Sequence, residues 1–262
     1  MLIDDRRILN LRKKLDRLYK EFNKKKYIET DPVKFVHRYS EPENQEIVGF
    51  IVSSLSYGNV KNIFSSCERV LKVISVNPYN FFMKSKSFNN IIDSFVHRFT
   101  KLNEIENFFI LLSIALKKYG RLKTFFLDCY REGQPFRDSL DLFAKKFSQG
   151  DISRIGSLLP DPVKGSACKR LNMFLRWMVR KDDIDVGIWN EIPKNKLIYP
   201  IDVHVAKISR MLKFTERKSN DWKTAQEITE NFRRINPDDP LKYDFTLTRI
   251  GILNKEISEY FL

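Results

Sequence analysis

Lys169, Arg176 and Arg180 recur at steps of seven and four residues, which places three cations along one face of a helix. A lysine that shares its face with two arginines is disposed to shed its proton. As a neutral amine it can attack an electrophilic carbon and form a Schiff base. Thirty-three residues later comes Asp202, in Tyr199-Pro200-Ile201-Asp202-Val203-His204. Its place before the apolar stripe Val205, Ile208 and Leu212 suits a helix N-cap, a role that alone explains an aspartate there.

Other chemistries find less support. Ser166-Ala167-Cys168-Lys169 fits the S-x-x-K pattern of penicillin-binding enzymes, but the companion Ser-Asp-Asn and Lys-Thr-Gly motifs are absent. His37, His97 and His204 are scattered, and Cys67, Cys129 and Cys168 are too few and too far apart for a four-cysteine cluster. No metal is therefore expected. No phosphate-binding G-x-x-x-x-G-K-[ST] loop occurs either, which argues against a nucleotide cofactor.

The elements that carry these residues read as helices. The segment Gly156–Gly165, with Pro160 and Pro162, cannot continue a helix and forms a turn. Ser166 then suits the N-cap of a helix reaching about Arg180. On that helix Leu171, Phe174, Leu175, Met178 and Val179 share the buried side, while Lys169, Met173, Arg176 and Arg180 share the other. Ile8, Leu11, Leu15, Leu18 and Phe22 make an N-terminal amphipathic helix whose polar face holds Arg12, Lys13, Arg17, Lys20 and Lys24. Asp31-Pro32 starts a second helix, and residues 45–55 read as a helix buried all round. Further helical patterns span 60–75, 88–98, 104–118, 121–130 and 137–147. The expected class is all-α, with ten or more helices.

Composition sets the context. The 262 residues carry 47 Lys+Arg against 33 Asp+Glu, a net charge of +14, which is the electrostatic signature of a nucleic-acid binder. An AT-rich coding bias would also enrich lysine, so charge gives sign and not chemistry. No apolar run reaches the ~20 residues that a membrane span requires. No signal-peptide h-region opens the chain, so a cytoplasmic protein is expected.

Two blocks together resemble the helix-hairpin-helix DNA glycosylase superfamily. Leu158-Leu-Pro-Asp-Pro-Val-Lys-Gly-Ser-Ala-Cys-Lys169 is similar to that family's hairpin and catalytic lysine, although the first of its two hairpin glycines is missing here. Tyr199-Pro-Ile-Asp202-Val-His-Val-Ala-Lys-Ile-Ser-Arg210 resembles the segment bearing the family's catalytic aspartate. The stretch Asp239–Gly251 is a weaker match to a later helix closing the pocket. The long Lys169–Asp202 separation and the Lys169-Arg-Leu-Asn-Met173 stretch look most like the archaeal 8-oxoguanine glycosylase branch. The block from Gly165 to Arg180 is also similar to a widespread bacterial family of uncharacterised proteins.

The resemblance implies a monomer of two helical domains flanking a cleft. One would be built from residues 1–60 and 190–262. The other, barrel-like, would span 61–189 and carry the hairpin at 156–180. It implies that Lys164, Gly165 and Ser166 grip DNA phosphates. Lys169 would expel a damaged base and nick the strand as a lyase, with Asp202 assisting. Arg176, Trp177, Tyr57 and Asp244 are the candidates for the base pocket, and 8-oxoguanine is the first substrate to test. A helix-hairpin-helix protein that binds DNA without catalysis is the alternative, and it would use Lys169 as a phosphate contact.

Overall fold

The computed structural model describes residues 5–74, 76–133, 135–253 and 260. Helix accounts for 65% of the chain, and the β-structure among the described residues is one tiny hairpin and two isolated bridges. The all-α class follows directly. Its sequence cause is the run of amphipathic segments with few glycines to interrupt them.

The chain divides into two compact units. The central unit, Glu29–Lys164, contains α2 (Pro42–Leu55), α3 (Val60–Ile74), α4 (Pro78–Lys84), α5 (Leu102–Tyr119), α6 (Leu122–Glu132) and α7 (Phe136–Phe147). Helix α2 is buried along nearly its whole length, as its all-round apolar sequence requires. Around Phe50 lie Phe108, Phe143 and Phe147, with ring centroids 5.1–5.6 Å away, and these aromatics form the centre of the unit. The 31–38 segment is a 3₁₀ helix rather than an α-helix, with Asp31 accepting from the Val33 N–H at 3.0 Å.

The terminal unit joins residues 1–28 to 165–262. It holds α1 (Asp5–Phe22), α8 (Lys169–Val179), α9 (Val203–Met211), α10 (Trp222–Ile235) and α11 (Asp244–Ile252). Leu18 and Phe22 of α1 pack with Ile250 of α11. Asp16 of α1 accepts from Lys242 at 2.6 Å and from the Tyr243 hydroxyl at 2.9 Å. These contacts explain why the unit boundaries fall at 28/29 and 164/165 instead of the expected 60/61 and 189/190. Helix α1 packs on α10 and α11, and α8 is tied to α11 by the Arg176–Asp244 pair within the same unit.

Residues 88–98 are not helical. Phe88, Ile92 and Phe95 keep helical spacing and are buried, but Asn90 is left-handed (φ 55°) and the segment ends in a β-hairpin, Val96–His97 pairing Thr100–Lys101.

Candidate functional site

The turn preceding Lys169 is built from local hydrogen bonds. A 3₁₀ helix, Ile152–Leu158, is interrupted at Gly156. Asp161 then accepts from the Val163 N–H at 3.0 Å, which folds the chain into a turn through 162–165. The Lys164 side chain is 80% exposed, and its amine lies 3.6 Å from Asp161. Gly165 adopts φ +78°, where a side chain would be strained. Its carbonyl accepts from the Trp222 N–H at 3.0 Å.

Ser166 is not the N-cap of α8. It is held in a bridge to Asp221, and its hydroxyl accepts only from the Cys168 N–H two residues on, at 3.1 Å. The cap position falls to Cys168, in the left-handed region (φ 50°), with no side-chain bond to the first turn. Lys169 is thus the first residue of α8, half-buried, at a helix end whose N–H groups no cap side chain satisfies.

Beyond its first turn α8 is buried on every side, including the face expected to carry solvated cations. Arg176 and Arg180 enter a buried ion network. Arg176 donates through Nε to Asp185 at 3.2 Å and through Nη1 to Asp244. Arg180 donates to Asp239 at 2.9 Å, meets Asp182 at 3.1 Å, and bonds Asp185 through Nη1. Burial raises the Asp185 carboxyl to about 6, although Arg176 and Arg180 hold it down, so it remains ionised at neutral pH. Asp244 is likewise raised to about 6 by burial, opposed by Arg176, with the Asp202 charge adding to the rise. For Asp182, burial is outweighed by Arg180 and by the N–H groups of Asp185 and Ile184, and its carboxyl falls below the usual value. Both arginines are therefore matched by carboxylates. Their uncompensated charge cannot be what activates Lys169.

Asp202 caps α9 as expected. Its Oδ1 accepts from the N–H groups of His204 and Val205 at 2.9 and 2.8 Å. Oδ2 is left with the Thr248 hydroxyl of α11, at 3.5 Å. Val203, the next residue, is 70% exposed, so this end of α9 opens to solvent. Gly251 sets the approach of α11, because a Cβ there would lie 2.6 Å from the His204 side chain. Thr248 and Gly251 were missed by sequence reasoning. The signal available was their placement one turn apart on the helix after Asp244.

Of the expected site residues, Arg176 and Asp244 are brought together, as a buried pair, and Asp202 lies within electrostatic reach of Asp244. Lys169 and Asp202 share the terminal unit. Trp177 is fully buried, with no partner for its Nε1. Tyr57 lies in the central unit, where its hydroxyl donates to the His97 carbonyl at 2.9 Å and sits 2.6 Å from Thr100 Oγ1. Among the described residues no group of three or more His, Cys, Asp or Glu could hold a metal ion, and the three buried cysteines form no disulfide with one another. No described helix is long and apolar enough to cross a membrane. A groove of 810 Å³ opens in the central unit beside Arg38, Tyr39, Glu68 and Lys72, and its lining includes none of the expected site residues.

Residues 31–253 match the family described as a protein of unknown function, DUF2400, and the chain belongs to that family. No curated protein and no solved structure shows significant similarity to it.

Proposed function

We propose that this protein is a base-excision DNA glycosylase with lyase activity, acting on an oxidised base, with 8-oxoguanine the first candidate. The observation that carries the reading is the state of Asp202. One carboxylate oxygen is fully used as a helix cap, while the other has, among the described residues, only a long contact to Thr248 at an end of α9 open to solvent. A cap alone has no need of that second oxygen, and a carboxylate facing a polyanion is of little use to mere binding.

In this reading the DNA backbone lies against the 162–165 turn, where Lys164 is exposed and the first turn of α8 has no side-chain cap. The damaged nucleotide is extruded from the stack. The Lys169 amine gives up a proton and attacks C1′ of the deoxyribose, forming an N–C1′ bond as the glycosidic C1′–N bond breaks and its electron pair leaves with the base. The base takes up a proton. Opening of the sugar ring yields the Schiff base, and loss of a C2′ proton expels the 3′ phosphate by β-elimination. Asp202 stabilises the positive charge that develops at the sugar.

A second reading, a DNA-binding protein without catalysis, is favoured by the exposure of Lys164 and makes Lys169 a phosphate contact. Borohydride trapping on a panel of damaged duplexes separates the two. Wild type should give a covalent adduct on at least one lesion, Lys169→Gln should give none while still binding DNA, and Asp202→Asn should form it far more slowly. Absence of any wild-type adduct across the panel refutes the lyase.

A further inference from the structure

The β-hairpin of the central unit joins a buried root to an exposed tip with a left-handed residue in its turn. His97 pairs with Thr100, so the turn is the two residues Arg98 and Phe99. Its root is fastened firmly. His97 and Thr100 are buried, His97 Nδ1 lies 2.9 Å from the Ser66 hydroxyl of α3, and the Tyr57 hydroxyl bridges the His97 carbonyl and Thr100. The tip is the opposite. Phe99 is 68% exposed and Val96 69% exposed, and Lys101 is also exposed. Arg98 has φ +52°, a conformation that two-residue hairpin turns normally assign to glycine, asparagine or aspartate. Gly58 is bare where it faces this residue, since a Cβ there would fall 2.5 Å from Arg98 Cδ. The Arg98 guanidinium lies 5.2 Å from the Phe99 ring centroid. A rigid root thus presents an exposed aromatic ring flanked by two cations, through a backbone conformation that an arginine adopts only under strain.

We propose that this tip is a nucleobase-stacking element. Phe99 stacks on a base uncovered where a duplex stack is opened, and Arg98 and Lys101 engage the flanking phosphates. This deepens the DNA reading above and rests on it. Charge favours nucleic acid over a protein partner. The tip itself, residues 98–101, carries two cations and no carboxylate, and the nearest glutamates, Glu104 and Glu106, are turned to the backbone N–H groups of Lys101 and Asn90, at 2.7 Å each. Two apolar side chains are also too small a patch for a stable protein interface, yet they suffice for a base, because aromatic stacking needs only one ring.

The test uses Phe99→Trp in the full chain. Trp177, Trp189 and Trp222 are all buried, so an indole at position 99 is the exposed reporter. Titration with a duplex bearing a tetrahydrofuran abasic-site analogue should quench and shift its emission, and the intact duplex should do so less. Phe99→Ala should bind the abasic duplex on the order of 10- to 100-fold more weakly by anisotropy, with its melting temperature unchanged. Emission of Phe99→Trp that ignores DNA the protein demonstrably binds overturns the proposal. So does a self-association that Phe99→Ala abolishes without affecting DNA affinity. Quenching in a protein that forms no borohydride adduct sustains the stacking element and rejects only the lyase chemistry.

Discussion

Replacing Arg176 by methionine keeps most of the side chain's bulk and removes its charge from between two buried carboxylates. The Asp185 and Asp244 side chains are 0% and 3% exposed, and that of Arg176 is 5% exposed. Asp244 already stands at about 6 against an ordinary 3.8, so its ionisation at pH 7 costs on the order of 3 kcal/mol. Without Arg176 its carboxyl would fold protonated, and Asp185 would keep Arg180 as its remaining arginine. Removing one partner of such a pair costs about 3–5 kcal/mol. Asp244→Asn should be milder, on the order of 1–2 kcal/mol, because it leaves Arg176 bonded to Asp185 and abolishes the cost of burying one carboxylate. The double variant should then be more stable than the sum of the singles predicts, by roughly 2 kcal/mol. Urea denaturation at pH 7 followed by tryptophan emission measures this cycle cleanly, since Trp177, Trp189 and Trp222 all lie buried in the unit that contains the pair. An Arg176→Met variant costing under ~1 kcal/mol, or strictly additive effects, would refute the buried pair and return both residues to a ligand-facing role.

Asp202→Ala, which loses the acceptor for two N–H groups, should destabilise by about 1 kcal/mol, and Asp202→Asn should stay within a few tenths of wild type. Thermal melts of the two variants check this, and equal losses would deny the cap. The raised carboxyls of Asp185 and Asp244 contribute stability that is fully present below about pH 4 and is lost as pH rises through about 6. Moving from pH 7 to pH 5 should therefore gain wild type roughly 1 kcal/mol from Asp244 that Asp244→Asn does not gain. Urea midpoints at the two pH values read the difference directly. A constant gap between the two proteins would contradict it.

The helices that bury a stripe were legible in the sequence because a period of 3.6 is a local property, as α1, α3 and α5–α7 illustrate. Asp202 was legible as a cap for the same reason, since its partners lie two and three residues away. What failed depended on distant partners. Arg176 and Arg180 looked solvent-facing on a helical wheel, because Asp239 and Asp244, 59 and 68 residues away, are invisible to it. Ser166 had the composition of a cap but is held in a bridge to Asp221. Phe88, Ile92 and Phe95 imitated a helix because buried residues of an irregular loop can share its spacing. Pro78–Lys84 escaped notice because seven residues hold too few turns for periodicity to show.

The discontinuity of the terminal unit has a consequence for the order of events on the ribosome. Helix α1 is synthesised well before α10 and α11, on which it packs and which follow about 200 residues later. At ~5–20 residues per second the wait is ten seconds or more. Throughout it Leu15, Leu18 and Phe22, fully buried in the finished protein, have no final partners. The central unit is contiguous and can close on itself in the meantime. Nascent chains should thus pass through a stage in which residues 29–164 resist protease while α1 is still cleavable and open to chaperones. Permuting the chain so that α1 follows α11 would convert that long-range closure into a local one and should speed completion of the fold.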